Sequence, residues 1–197
     1  MANTPVDQHY RAAWDEMTGP EAPFGWSVTE VRGVATRVYN NAPPNMALIW
    51  AGSIAQGDNE YLVYGEESLS YAQVHQKVDA LAAHLSSVGV GHGDRVAVSM
   101  RNYPEWVVTY WATIKIGAAL VGMNAWWTTP EMEFGIVDST PKALVVDGER
   151  LERVAPVLSS LRAENPLLVL VVRSEGDLPE DALHWEDALA AAADLPP

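Results

Sequence analysis

The chain has 197 residues, about the size of one domain, and 48% of them are hydrophobic, eight Trp included; that is enough apolar surface to bury a core, so disorder is not expected. Twelve Lys and Arg against 26 Asp and Glu leave a formal net charge of −14, which repels phosphate backbones and anionic headgroups and argues against nucleic acid and basic-patch membrane binding. With no Cys, disulfides, thiolate nucleophiles and Cys-based zinc or iron-sulfur sites are excluded.

The opening MANTPVDQHYRAAWDEM has no basic segment followed by an apolar run, so no secretion signal is expected there and the cytoplasm is the default compartment. Residues 1–26 are polar and punctuated by Pro and Gly, which suggests an arm anchored by Trp14, Phe24 and Trp26. Ser27 and Glu30 have the spacing of a capping box, and Val31, Val34, Ala35 and Val38 share one helical face, so the spacing predicts a short helix ending by Asn40 and Asn41. MALIWAG, residues 46–52, follows as a short apolar strand, and YLVYGEESLS, residues 61–70, as a hairpin that opens the sheet.

The most secure helix begins at Ser70, whose capping partner is Gln73. Its stripe of Tyr71, Val74, Val78, Leu81, Ala82, Leu85 and Val88 runs to a stop at Gly89. Arg95–Met100 is a β-rich run. Pro104 opens a helix with Val107, Tyr110, Trp111, Ile114 and Ala118 as its stripe, and Ala119–Met123 returns to strand. The stretch from Trp106 to Met123 is apolar, but Lys115, Gly117 and Gly122 interrupt it, so it reads as core and not as a membrane span. Thr129 caps a helix from Pro130, with Glu131 and Glu133 in its first turn. Ala143–Val146 and Leu167–Val172 are continuous apolar runs separated by the helical pattern Leu151, Val154, Val157, Leu158 and Leu161. The expected fold class is therefore α/β, a mostly parallel sheet with helices on both faces. The expected division is residues 1–60 as arm, capped helix and first strand, 61–173 as the α/β core, and 174–197 as an acidic tail with a weak helix around Trp185, Ala188 and Leu189.

Few motifs carry chemistry. The glycines of Gly89–Asp94 close a helix and open a strand, the reverse of the order in which a glycine-rich loop aims backbone N–H groups at phosphate, so no dinucleotide site is assigned. Thr140-Pro141-Lys142 reads as a helix-to-strand connector. No His pair has ligand spacing, so no metal site is expected, and His75 and His84, off the apolar stripe, are expected in solvent. No GxSxG elbow occurs, and the carboxylates Glu66, Glu67, Glu131, Glu133, Glu175, Asp177, Glu180 and Asp181 lie in turns and caps; no catalytic or cofactor-binding residue is assigned. Trp126 and Trp127 follow the C-terminal end of a strand, where ligands gather in open α/β sheets. They are the candidates for a substrate-cleft wall, with packing against a neighbouring subdomain as the alternative use.

Residues 68–147 resemble the N-terminal part of the AMP-forming acyl-CoA synthetases, the fatty-acid-CoA ligases of the adenylate-forming superfamily. The likeness rests on the Ser70-Tyr71 helix opening, Gly93-Asp94-Arg95-Val96 entering a strand, the helix start at Asn102 with Glu105-Trp106, the Gly117-Ala118 turn, and the connector from Asp138-Ser139 to Lys142. The resemblance implies Mg-ATP activation of a carboxylic acid to an acyl adenylate and transfer of the acyl group to CoA, with ATP, Mg and CoA as cofactors of the full-length enzyme and none in this fragment. The family's Ser/Thr/Gly-rich phosphate loop ending in Lys, its Tyr-x-x-Thr-Glu segment, its ribose-binding Asp and its C-terminal catalytic Lys do not occur in these residues. The expectation is an incomplete N-terminal subdomain, inactive alone, whose partner is the missing C-terminal part or a second copy in a dimer. The alternative is a stand-alone α/β interaction or regulatory module derived from that fold.

Overall fold

The computed structural model describes residues 4–192; the first three residues of the arm and the last five of the acidic tail lie outside them. The chain forms two compact units, which divide after Leu48.

In the first unit, α1 (Pro5–Thr18) is fixed at its start by a reciprocal Thr4–Asp7 capping box. The segment expected to be a helix from Ser27 is instead a hairpin of β1 (Trp26–Val31) and β2 (Val34–Tyr39), paired from Trp26↔Tyr39 to Val31↔Val34. Arg32 and Gly33 both take positive φ, 51° and 81°, which is the turn a two-residue hairpin requires. The Ser27/Glu30 spacing and the valine stripe were accidental matches to a helix; the dense β-branched residues Val28, Thr29, Val31, Val34, Thr36 and Val38 decide for strand. MALIWAG is also corrected, from strand to the helix α2 (Met46–Gly52). Asn45 accepts the Leu48 N–H at 3.0 Å, and Met, Ala and Leu favour helix over strand.

In the second unit, β3 (Glu60–Tyr64) and β4 (Glu67–Ser70) form the expected hairpin, but as a two-stranded sheet of their own and not as the start of the main one. Then α3 (Tyr71–Ser87) begins with the Ser70–Gln73 box, and the chain alternates through β5 (Arg95–Ser99), α4 (Pro104–Lys115), β6 (Ala119–Gly122), α5 (Thr129–Ser139), β7 (Ala143–Asp147), α6 (Gly148–Glu164) and β8 (Leu168–Val172). Thr128, one residue before the expected cap, starts α5 by bonding Glu131 through both its N–H and its hydroxyl. The end of the described chain adds β9 (Ala182–His184) and α7 (Trp185–Ala191), whose Trp185, Ala188 and Leu189 are buried.

Five strands form one parallel sheet in the order β6-β5-β7-β8-β9. Every residue of β7 is buried, as a strand covered on both faces must be. Val96 and Val98 of β5, with Val145 of β7, face a core that includes Val78, Leu81 and Leu85 of α3, Val108 and Ala112 of α4 and Trp185 of α7. Ala97 of β5, with Leu144 and Val146 of β7, faces the opposite core with Met132 and Ile136 of α5 and Val154 and Leu158 of α6. The chain runs outward from β5 to β6 and then back across β5 to β7. Parallel crossovers share one hand, so the reversal moves the connecting helix from one face (α4) to the other (α5). Among the described residues, no helix is long and apolar enough to cross a membrane.

His75 and His84 are not in solvent as expected; both are buried. His75 stacks on Trp50, with ring centroids 3.9 Å apart, and its Nε2 lies 3.0 Å from the Ser53 hydroxyl. Burial holds both imidazoles below their ordinary pKa, with Asp79 opposing the effect at His75. They flank the stripe of α3, against which α4, α7 and the turn of residues 53–56 all pack.

Candidate functional site

Reversal of the chain's direction between β5 and β7 creates a switch point at the carboxyl ends of these strands, the place where open α/β sheets bind ligands. Asp147, the last residue of β7, spans it. Its Oδ2 accepts the Arg101 N–H from beyond β5 at 3.1 Å, and its Oδ1 accepts the Arg150 N–H at 3.0 Å as the N-cap of α6. Arg150, wholly buried, lies against Asp147 at 3.2 Å and Glu149 at 2.8 Å. Glu149 also receives Arg101 at 3.0 Å and Arg153 at 2.5 Å. The bond from Arg101, aided by the charges of Arg150 and Arg153, holds the Glu149 carboxyl below the usual range; Arg101 is raised in turn.

Above this network sits the loop from β6 to α5. Trp126 on it is 69% exposed, and the guanidinium carbons of Arg101 and Arg150 each lie 5.7 Å from its ring centroid. Trp127 turns the other way and packs against the α5–α6 core, so close to the helix that a Cβ on Gly135 would come within 2.7 Å of its ring. The two adjacent candidates therefore part: Trp126 faces outward and Trp127 supports α5. Beside β8, Arg173 bridges Glu67 of β4 at 2.7 Å and Glu105 of α4 at 3.0 Å, with its guanidinium 5.0 Å from the Tyr64 ring and 4.8 Å from that of Tyr103. Its bonds to Glu67 lead in raising the Arg173 pKa, and they lower that of Glu67. Burial raises Tyr103. Among the described residues, none of the carboxyl shifts is upward, the direction a general acid would need.

No motif in the sequence singles out these arginines. The available signal was positional: Arg101, Arg150 and Arg173 each stand within three residues of the end of an apolar strand run. The opposite end of the strands, where β5, β7 and β8 begin, holds a hollow of about 940 Å³, lined in part by Arg95, Lys142 and Arg162. There Arg95 bonds the Ser139 and Thr140 carbonyls, Lys142 that of Gly89, and Arg162 those of Leu167, Glu180 and Asp181. These cations complete the carboxyl ends of α5 and α3 and the turns before β8 and β9, which accounts for them without a ligand. Lys142 is thus part of a connector between α5 and β7.

Residues 52–197 match the family described as AMP-binding enzyme. The chain belongs to that family. A medium/long-chain-fatty-acid–CoA/3-oxocholest-4-en-26-oate–CoA ligase of Mycobacterium marinum is 34% identical over 140 residues, 71% of this chain and 25% of the relative. A 3-hydroxybenzoate–CoA/4-hydroxybenzoate–CoA ligase of Thauera aromatica is 30% identical over 68% of this chain and 26% of its own length. Among solved structures, an anthranilate CoA ligase in complex with anthranoyl-AMP superposes with a TM-score of 0.69 over 75% of this chain and 28% of that one; at 23% identity this likeness shows the fold. A structure described as a long-chain-fatty-acid CoA ligase of Rhodopseudomonas palustris gives 0.65 at 25% identity, over 73% of this chain and 36% of that one. The chain spans about a quarter of the length of each of these two curated relatives.

Proposed function

We propose that this chain is the N-terminal α/β portion of an acyl-CoA ligase that activates a fatty acid or similar carboxylic acid with Mg-ATP to an acyl adenylate and pyrophosphate, and then transfers the acyl group to CoA. The observation that carries the reading is that the family match, residues 52–197, falls on the elements that build the parallel sheet and its switch point. Relatives that act on fatty and on aromatic acids both match; the higher identity of the fatty-acid relative supports the former.

On this reading the 197 residues supply scaffold and one wall of the substrate cleft. Trp126 is that wall, with half-exposed Arg101 beside it as the reachable cation, and Trp127 holds the wall to α5. The groups that bind ATP, Mg and CoA belong to family segments that do not occur in these residues, so the chain alone does not adenylate. A pyrophosphate-release assay of the purified chain with Mg-ATP and fatty acids of several lengths tests this: no release above the acid-free control is expected, and release would overturn it. The same assay on a polypeptide that continues into a phosphate loop should be positive, most strongly with a fatty acid; its failure there would remove the ligase reading. Exposed apolar side chains of the first unit, among them Val28, Val34 and Tyr39, support self-association of the isolated chain as a dimer. Sedimentation at low concentration tests that, and a monomer would contradict it.

A further inference from the structure

Trp126 can serve as a cleft wall only if its exposed indole is held in one place, and the indole is not held by burial. We propose that Arg150, seconded by Arg153, is a positioning pair that fixes the loop of residues 124–128 and so presents Trp126 at the switch point. The inference rests on the reading of Trp126 as a wall and adds the device that orients it.

The two carbonyls that bracket Trp126 carry the argument. Arg150 Nε donates to the Ala125 carbonyl at 2.7 Å, while Arg153 Nη1 donates to the same carbonyl at 3.1 Å and to the Trp127 carbonyl at 3.1 Å. The peptide planes 125–126 and 127–128 are therefore pinned from α6, and the plane between them is held within the loop, where the Asn124 carbonyl accepts the Trp127 N–H at 3.1 Å. Within the loop, Asn124 Oδ1 accepts the Trp126 N–H at 2.9 Å, and the start of α5 is tied to α6 by the Thr129 hydroxyl, which donates to the Arg153 carbonyl at 2.7 Å. Arg150 cannot wander, because Asp147 and Glu149 hold its Nη1 and the side chain is 1% exposed. A buried cation is costly unless its charge is paired, and here a planar guanidinium is needed: Nη1 meets the carboxylates and Nε the loop carbonyl, while Nη2 is buried without a partner. Lysine, a single point of charge, cannot span both. Asp147 ties the same guanidinium to the Arg101 N–H, so the exit of β5, the start of α6 and the tryptophan loop share one anchor.

The test is ¹⁹F NMR of the full 197-residue chain labelled with 5-fluorotryptophan, without ligand, with Trp126→Phe assigning the Trp126 resonance. In Arg150→Lys the Trp126 signal should move by more than its linewidth toward the free amino acid, or split, while buried Trp50 and Trp185 keep their positions. A Trp126 signal that stays in place in a folded Arg150→Lys chain overturns the proposal. If Trp50 and Trp185 lose their dispersion, the fold has gone and Arg153→Gln decides. That variant removes two carbonyl bonds and the ion pair with Glu149 from a quarter-exposed side chain and leaves the buried charge of Arg150 intact. Movement of the Trp126 and Trp127 signals supports the pair, and unmoved signals overturn it. The wall reading itself fails separately, if Trp126→Ala leaves substrate binding by the longer enzyme unchanged.

Discussion

Residues 4–48 and residues 49–192 are both rich in apolar side chains, but they use them in opposite ways. Between 4 and 48, Gly25 is the one buried residue among those described, and Trp14, Phe24, Val28 and Val34 stand half or more exposed. Between 49 and 192, side chains of the same types fill two cores on the two faces of a five-stranded sheet. The difference lies in the number of layers. A hairpin and one helix cannot cover both faces of a strand pair, whereas a parallel sheet with helices on each side covers every strand. Apolar pattern sets which face seeks cover; the count of neighbouring elements sets whether it finds any.

The largest effect that would sharpen this contrast is Trp185→Ala, which should cost about 3–5 kcal/mol in urea unfolding because the ring is 2% exposed in the core beneath α7. A loss below about 1 kcal/mol would show that α7 and β9 are not integral to the second unit. Next comes Arg173→Ala, expected to cost about 1–2 kcal/mol; its pair with half-exposed Glu67 contributes little, and most of the loss comes from Glu105 and the two tyrosine faces. A smaller effect is that of pH. His75 and His84 have lowered folded pKa values, so below the ordinary 6.5 the unfolded chain binds more protons than the folded one. The stability they contribute is present above that value and is lost as the pH falls toward their folded pKa. Urea midpoints should drop between pH 7.5 and 5.5, ahead of the carboxylate range, and His75→Phe with His84→Leu should flatten the slope. Smallest is Trp14→Ala, expected within about 0.5 kcal/mol of the parent in the monomeric chain. A main unfolding transition moved by Trp14→Ala would break the contrast, since it would make the first unit part of the cooperative core.

The α/β core was legible because its signals were redundant. For α3, the Ser70–Gln73 box, a stripe through Leu85 and the Gly89 stop all agree, and β7 and β8 are unbroken apolar runs. In the first unit the signals conflicted: Ser27 and Glu30 are three apart in a strand as in a helix, and the β-branched residues on either side of the Arg32-Gly33 turn decided for a hairpin. Met46–Gly52 was too short for periodicity to separate helix from strand. At the candidate site the position of Trp126 after β6 was readable, but the link from Asp147 to Arg101 was not, because it joins residues 46 apart once β5 and β7 lie side by side.

By itself the sequence determined the alternation of buried strands and amphipathic helices, the exclusion of thiol chemistry and the region that carries the family likeness, since each follows from local spacing or residue type. Strand order, the burial of His75 and His84, the divergence of Trp126 from Trp127 and the clamp of Arg150 were decided by the tertiary structure. Each of these depends on which elements become neighbours, and neighbours in a sheet are chosen by packing across the chain and not by position along it.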